Sequence, residues 1–178
     1  DETAILATAK HFAAYSETQG GRDASEADVS QRKLRSWFLP PFERVARDGC
    51  RTFMLGYQSI DGVPITINRW LLSDVLRGEW GYTGTLVTDW DNVGRMVWEQ
   101  KVQPDYAHAA AAAVKAGNDL VMDTPGFYEG ALEARSPSGT VGRTIAVMGT
   151  PLSQPWPPVN ARLARRIVGF LAHLGFQL

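Results

Sequence analysis

The sequence predicts an α/β fold, namely a partial (half) TIM-type (β/α) barrel with about four parallel strands and a C-terminal helix. Short apolar runs alternate with segments of helical periodicity, which is the pattern of parallel βα units. A complete eight-unit barrel needs about 250 residues, whereas the chain has 178. Polar residues follow several of the apolar runs, at the strand ends where such barrels place their active sites.

The first elements are a strand, a loop and two helices. Ile5 to Phe12 is apolar and predicts a buried strand, and Gln19 to Ala27 has the glycine and polar residues of a loop. Asp28 is the expected cap of a short helix, with Gln31 three residues later as in a capping box. A second helix is expected from Pro41 to Gly49, because proline suits the first helical turn.

The central segment predicts two strands with a helix between them. Thr52 to Tyr57 predicts a strand, and a turn follows at residues 61–64 (DGVP). Asn68 is the expected cap of a helix over Arg69 to Arg77, whose aliphatic residues share one face. Thr85 to Thr88 predicts the third strand, which ends in an Asp-Trp pair.

The next segment adds one more helix and one more strand. Alanine-rich residues predict a helix near Asp105 to Ala116, which Gly117 ends. Asp119 to Met122 predicts the fourth strand. The chain therefore divides into a partial barrel at 1–134, an irregular Pro/Gly-rich segment at 135–159 and a C-terminal helix at 160–178.

Composition excludes several classes of function. The formal net charge is -1, so no basic surplus predicts nucleic-acid binding, and no apolar run of about 18 residues predicts a membrane span. Three histidines and the single cysteine, Cys50, form no close grouping in the sequence, so neither a metal site nor a cofactor is expected. The first residues lack the pattern of a secretory signal, which makes the cytoplasm the expected location.

Polar residues at the predicted strand ends are the candidates for chemistry. Asp89 would stand at the mouth of a barrel, where carboxylates are often catalytic, although it could instead cap the following loop. Lys10 and His11 can hydrogen-bond vicinal hydroxyls or keep a carboxylate ionised, or they can form an ordinary ion pair beside a satisfied histidine. The hydroxyl of Tyr57 can orient a carboxylate, or its ring can be an aromatic at a sheet edge.

Five motifs follow one another along the chain, namely KHFAAY, LPPFERV, MLGYQSIDGVP, LLSDVLRGEWGYTGTLVTDW and AVKAGNDLVM. In this order they resemble glycoside hydrolase family 3, the family of β-glucosidases and β-xylosidases, and the resemblance covers about Ile5 to Ala134. The LRGEWGYTGTLVTDW stretch is highly specific, whereas KHF alone would be weak. The fragment matches the later part of the family's catalytic barrel.

The resemblance implies a retaining β-glycosidase, with β-glucosides as the expected substrates. It places the catalytic nucleophile at Asp89 and the residues that bind sugar hydroxyls at Lys10 and His11. A retaining enzyme needs one ionised carboxylate to attack the anomeric carbon and one protonated carboxyl about 5–5.5 Å away to protonate the leaving oxygen.

The resemblance also implies roles for residues around the nucleophile. Tyr57 falls on the tyrosine that contacts the nucleophile region, and Trp90 falls on the tryptophan that lines the sugar subsite. Arg22 lies in a loop where family members often have a basic residue, and this match is loose.

The general acid has no counterpart in the motifs. Most family members take it from a following α/β sandwich domain, and a subgroup uses a histidine in the loop after the Lys-His strand, where this chain has SETQGGRD. The available carboxylates are those of Glu17, Asp23, Asp91 and Glu99. A catalytically weak or inactive sugar-binding half-barrel and a self-associating scaffold therefore stay open as alternatives.

A half-barrel would leave two open edge strands, which invite pairing with another chain. We therefore expect a homodimer or a larger homo-oligomer in which two half-barrels meet. A monomer in which the C-terminal segment covers one edge is the alternative.

Overall fold

The computed structural model describes residues 5–124 and one further strand at 146–148. The strands are β1 (Thr8–Phe12), β2 (Glu26–Ala27), β3 (Thr52–Leu55), β4 (Ser59–Ile60), β5 (Val63–Pro64), β6 (Thr85–Trp90), β7 (Leu120–Met122) and β8 (Ala146–Met148). The α-helices are α1 (Gln31–Lys33), α2 (Leu39–Arg47), α3 (Asn92–Trp98) and α4 (Tyr106–Ala116). Wider π-helical segments span Leu34–Phe38 and Trp70–Glu79, and 3-10 turns span Tyr15–Glu17, Gln19–Gly21 and Ile65–Ile67.

The main sheet is parallel throughout its described strands. Their order is β1-β3-β6-β7-β8, and each neighbouring pair runs in the same direction. Thr52 of β3 is in register with Thr8 of β1 on one side and with Thr85 of β6 on the other. The predicted α/β class with four parallel strands is confirmed, and β8 adds a fifth strand inside the 135–159 segment.

A smaller sheet was not predicted. It contains β2, β4 and β5, and its β4–β5 pair is an antiparallel hairpin that turns at Asp61 and Gly62. The sequence indicated the turn at this place but not the two-residue strands beside it. This hairpin follows directly after β3, so it fixes the path of the chain at the end of that strand.

Buried side chains of the main sheet and of the helical segments form the core. Phe12, Phe53 and Leu86 are fully buried in consecutive strands. The helical segment Trp70–Glu79 adds four buried aliphatic side chains, those of Leu71, Leu72, Val75 and Leu76. Each such side chain contributes about 1.5–3 kcal/mol when it is fully buried, so this packing fixes the strands that end at the candidate site.

Several predicted boundaries were wrong. Helix α2 spans Leu39–Arg47 rather than Pro41 to Gly49, and β3 ends at Leu55 rather than Tyr57. The first strand begins at Thr8 rather than Ile5, because Ile5 and Leu6 are 92% and 63% exposed and have no core to face. The first short helix is capped by Ser30 rather than Asp28, because the hydroxyl of Ser30 accepts a hydrogen bond of 3.2 Å from the backbone N–H of Lys33.

Two other predicted helix ends are confirmed. Asn68 Oδ1 accepts a hydrogen bond of 3.1 Å from the backbone N–H of Leu71. Asp105, predicted as the start of the next helix, instead caps it, and its Oδ1 accepts a hydrogen bond of 2.8 Å from the backbone N–H of His108. Gly117 follows α4 with a φ of +107°, a left-handed conformation that glycine adopts without strain. The predicted C-terminal helix at 160–178 lies outside the described residues.

Helix α3 was not expected from the sequence. It begins two residues after β6 and is followed by α4, which packs against it. None of the helices in the described ranges is both long enough and apolar enough to cross a lipid bilayer.

Candidate active site

The candidate site lies at the carboxyl ends of β1, β3 and β6, which adjoin in the sheet. Asp89 is the next-to-last residue of β6, and His11 occupies the corresponding place in β1. Tyr57 lies two residues beyond the end of β3. Because the strands are parallel and in register, their carboxyl ends meet at one edge of the sheet.

Three hydrogen-bonding groups converge on the carboxylate of Asp89. The hydroxyl of Tyr57 donates to Oδ1 at 2.8 Å, and the backbone N–H of Trp90 donates to the same oxygen at 2.7 Å. Nε2 of His11 lies 3.1 Å from Oδ2. Hydrogen bonds to a carboxylate are among the stronger ones in proteins, so this arrangement holds the Asp89 carboxylate in a defined orientation.

The local environment of His11 disfavours its protonated form. Burial lowers the pKa of His11 below its ordinary 6.5, and the positive charge of Lys10 lowers it further. The negative charge of Asp89 and their hydrogen bond act in the opposite direction without reversing the result. His11 is therefore a neutral hydrogen-bonding group beside Asp89 at neutral pH.

Tyr57 stays a protonated donor. Burial raises the pKa of its hydroxyl, and the hydrogen bond to Asp89 raises it further. The hydrogen bond therefore has two effects: it orients Asp89 and it favours the protonated form of Tyr57.

The other predicted site residues, Lys10, Trp90 and Arg22, are more exposed than His11 and Tyr57. The side chain of Lys10 is exposed, with Nζ 3.9 Å from the sulfur of Met54, and Trp90 is 49% exposed beside Asp89. Arg22 is exposed in the loop before β2, and it is not among the groups that contact Asp89 in the described structure. The structure therefore brings His11, Tyr57 and Trp90 to Asp89 and leaves Arg22 at the surface.

Tyr15 and Asp23 form a contact that the sequence did not reveal. The hydroxyl of Tyr15 donates to Oδ1 of Asp23. The Tyr15 ring meets that of His11 edge-on at 4.8 Å and lies 6.2 Å from that of Tyr57. Burial and the bond to Asp23 raise the pKa of Tyr15 to about 12. Tyr15 thus packs against both side chains that reach Asp89, and the KHFAAY motif that contains it was the available signal.

Arg95 of α3 is a second neighbour that the sequence did not reveal. Its guanidinium lies 4.3 Å from the ring centroid of Tyr57 and 5.1 Å from that of Trp98. It also forms an ion pair with Glu99. No sequence signal was available for it, because α3 itself was not predicted.

The four carboxylates considered for the general acid all have partners. Glu17 pairs with Lys33 and Glu99 with Arg95. Asp91 accepts hydrogen bonds from the indole N–H of Trp98 at 2.9 Å and from the hydroxyl of Thr124 at 3.2 Å.

Asp91 is partly buried, and this burial affects its carboxyl group. Burial raises its pKa above the usual aspartate value, despite the two hydrogen bonds that oppose the rise. The described residues contain no group of three or more side chains suited to hold a metal ion.

Comparison with known proteins assigns this chain to a family. The model of the glycosyl hydrolase family 3 N-terminal domain matches residues 1–134. A β-xylosidase of Formosa agariphila is 40% identical over 121 residues, which is 67% of this chain and 17% of that protein. The chain thus spans about a sixth of the length of such relatives.

Solved structures agree with the sequence match. A β-glucosidase involved in saponin metabolism from intestinal bacteria is 79% identical, with a TM-score of 0.71 over 74% of this chain and 17% of that one. A β-glucosidase from Listeria innocua, solved in complex with glucose, is 32% identical, with a TM-score of 0.68 over 72% of this chain and 18% of its own. By sequence and by fold, the chain belongs to glycoside hydrolase family 3.

Proposed function

We propose that the chain carries the nucleophile of a retaining β-glycosidase that removes terminal β-linked sugars, with β-glucosides as its substrates. The observation that carries the proposal is the carboxylate of Asp89, which accepts two hydrogen bonds on Oδ1 and faces His11 with Oδ2. An oriented, ionised carboxylate at a strand end is what attack on an anomeric carbon requires.

The proposed reaction has two steps. A carboxylate oxygen of Asp89 bonds to the anomeric carbon while the bond to the leaving oxygen breaks, which gives a glycosyl ester. Water then attacks the same carbon, the bond from that carbon to Asp89 breaks, and the proton that the water loses passes to solvent, which releases the sugar and the free carboxylate. We assign the attack to Oδ2, because Oδ1 accepts two hydrogen bonds, from Tyr57 and Trp90, whereas Oδ2 faces His11 alone among the described groups. Leaving groups that need protonation would also require a general acid, which we do not assign within this chain.

The sugar would lie over the same edge of the sheet. Lys10 and His11 supply polar atoms for its hydroxyls, and the half-exposed ring of Trp90 supplies an apolar face. Arg22 has a place in this proposal as an outer contact from the loop before β2. The glucose complex of the Listeria relative supports a carbohydrate as the ligand.

Labelling with a dinitrophenyl 2-deoxy-2-fluoroglucoside tests the proposal. Its dinitrophenolate leaving group departs without protonation. The test therefore examines the nucleophile without requiring the general acid, which is not assigned. We expect an intact-mass increase of one fluoroglucosyl group, with the adduct on Asp89 after peptide mapping. Asp89→Asn should give no adduct, whereas Asp48→Asn, at an exposed ion pair, should label like the parent chain.

Absence of an adduct on a folded parent chain contradicts the proposed activity. A sugar-dependent rise in melting temperature without an adduct would instead support an inactive sugar-binding module. An adduct on a residue other than Asp89 would overturn the assignment of the nucleophile.

We also propose that two copies of the chain associate through β1. Within the described structure β1 lies at one edge of the sheet and pairs with β3 alone. Edge strands expose unpaired N–H and C=O groups, which a second copy would satisfy. Sedimentation should detect a dimer or a larger assembly at micromolar concentration, and a purely monomeric profile would contradict this proposal.

A further inference from the structure

Helix α3 holds the segment after β3 at three points. The side-chain amide of Asn92 donates to the backbone oxygen of Gly56 at 2.7 Å, and that of Gln100, just beyond α3, donates to the backbone oxygen of Tyr57 at 3.1 Å. Between these contacts the guanidinium of Arg95 lies 4.3 Å from the centroid of the Tyr57 ring. The segment that carries Tyr57 is therefore fixed by the helix that follows Asp89 in the chain.

Asp89, Arg95 and Tyr57 are linked to one another. The chain runs from Asp89 in β6 directly into α3, and Arg95 of α3 packs against the ring of Tyr57. The hydroxyl of Tyr57 in turn donates a hydrogen bond of 2.8 Å to Asp89. In the described structure Arg95 is not among the groups that contact Asp89. Its packing contact with the Tyr57 ring is therefore the route by which it can affect the orientation of the carboxylate.

The position of Arg95 is itself well defined. Its side chain is 19% exposed, forms an ion pair with Glu99 and lies 5.1 Å from the ring centroid of Trp98. A planar guanidinium can stack on aromatic faces, which a compact ammonium group does less well. The guanidinium thus restricts the tilt of the Tyr57 ring, and that tilt decides where the hydroxyl points.

We propose that Arg95 is a positioning residue that fixes Tyr57 so that its hydroxyl meets Oδ1 of Asp89. The inference rests on the proposed function, since it gives Arg95 a part in forming the glycosyl-enzyme. The positive charge of Arg95 over the ring also makes the phenol a stronger donor to the carboxylate.

A set of variants tests the role of Arg95 by the kinetics of fluoroglucoside labelling. We expect Arg95→Met to lower the maximal labelling rate by about 10-fold, as the loss of a partly buried cation–π contact predicts. The concentration for half-maximal labelling should stay nearly constant, because the proposed role of Arg95 is to orient Tyr57 and not to bind the sugar. Arg95→Lys should restore part of the rate, and Arg44→Met, at an exposed ion pair, should leave it unchanged.

A double-mutant cycle separates positioning from general damage to the fold. If Arg95 acts through the Tyr57 hydroxyl, Arg95→Met should cost little further rate in a Tyr57→Phe background. Equal losses in both backgrounds would overturn the proposal, and so would an unchanged rate in Arg95→Met alone.

A readout that needs no turnover keeps this inference distinct from the proposed function. In NMR spectra of the chain with isotope-labelled tyrosine rings, the Tyr57 signal is assigned by its loss in Tyr57→Phe. Arg95→Met should shift that signal, and Arg44→Met should not. An unshifted Tyr57 signal in Arg95→Met overturns the role of Arg95. If Arg95→Met shifts the signal but the parent chain is not labelled by the fluoroglucoside, the result counts against the glycosidase activity alone.

Discussion

Tyr57 and Asp89 are joined by a hydrogen bond of 2.8 Å that links the segment after β3 to the end of β6. The bond joins two partly buried side chains, one just beyond β3 and the other near the end of the neighbouring parallel strand β6. Its donor cannot lose its proton at neutral pH, because burial and the bond itself raise the pKa of Tyr57. The orientation of Asp89 thus depends directly on the presence of one phenol oxygen.

Replacement of Tyr57 by phenylalanine removes that oxygen and keeps the ring. A hydrogen bond to a charged group contributes about 1.5–3 kcal/mol, so we expect Tyr57→Phe to slow labelling of Asp89 by about 10- to 100-fold. Stopped-flow or quenched mass spectrometry with the activated fluoroglucoside measures this rate. Tyr106→Phe, in α4, is the matched control. Parent-like labelling of Tyr57→Phe would show that the phenol does not assist the carboxylate.

Acid should destabilise the fold through His11. The pKa of His11 is lowered in the folded chain, mainly by burial, so the unfolded chain binds a proton more readily. The free energy of unfolding should therefore fall as the pH drops below about 6.5, the ordinary histidine value, until the folded form is protonated too.

Urea unfolding at pH values from about 7.5 to 5 measures the contribution of His11. His11→Gln should flatten the decline, whereas His108→Gln, at an exposed position in α4, should leave the His11 contribution in place. A decline of equal steepness in His11→Gln would mean that other groups cause it.

The ion pair between Arg77 and Asp119 should contribute strongly to stability. Arg77 donates to the backbone oxygens of Tyr82 and Gly84 at 2.9 and 2.6 Å, and its side chain and that of Asp119 are only 17% and 10% exposed. Loss of one partner of a buried pair costs about 3–5 kcal/mol, so Arg77→Met should lower the free energy of unfolding by about that amount.

The control for Arg77→Met is Arg44→Met, whose ion pair with Asp48 is exposed and should contribute at most about 0.5 kcal/mol. Chemical denaturation compares the two variants. Similar losses in both would contradict the expected difference between buried and exposed pairs.

Gly94 should not tolerate a methyl group. A Cβ at Gly94 would lie 2.0 Å from Oδ1 of Asp91. That oxygen accepts a hydrogen bond from the hydroxyl of Thr124, which would be lost or weakened if Asp91 moved away. We expect Gly94→Ala to destabilise the fold by about 1–3 kcal/mol. Gly78→Ala is the matched control, because its Cβ would meet Ser73 at an ordinary 3.5 Å. Helix propensity predicts that Gly78→Ala is neutral or stabilises by up to about 1 kcal/mol, and melting curves of the two variants should diverge accordingly.

Apolar runs and caps were sufficient to predict the parallel sheet. The strands over Thr52–Leu55, Thr85–Trp90 and Leu120–Met122 each combine apolar or β-branched residues with a following turn, and these signals do not depend on tertiary contacts. The strand over Ile5–Phe12 was predicted too long, since the periodicity cannot tell whether Ile5 has a core to face.

The site was predictable in part. Asp89, His11 and Tyr57 could be placed together because parallel strands end at one edge, but the contacts of Tyr15 and Arg95 with Tyr57 depend on side-chain packing. Helix α3 was missed because its polar start and internal glycine carry weak helical propensity, and the structure supports it by packing against α4. The role of Arg22 stays a prediction.

Asp89 and its two side-chain partners come from three separate βα units: His11 lies in β1, Tyr57 just beyond β3, and Asp89 in β6. None of these neighbours is close in sequence, so each arrives only when a long crossover has closed and the strands have paired. Local helices can form before that point, and the carboxylate then has neither its phenol nor its imidazole. Reactivity of Asp89 is accordingly a measure of long-range strand pairing, and a partly folded chain should lose it while its helical circular dichroism persists.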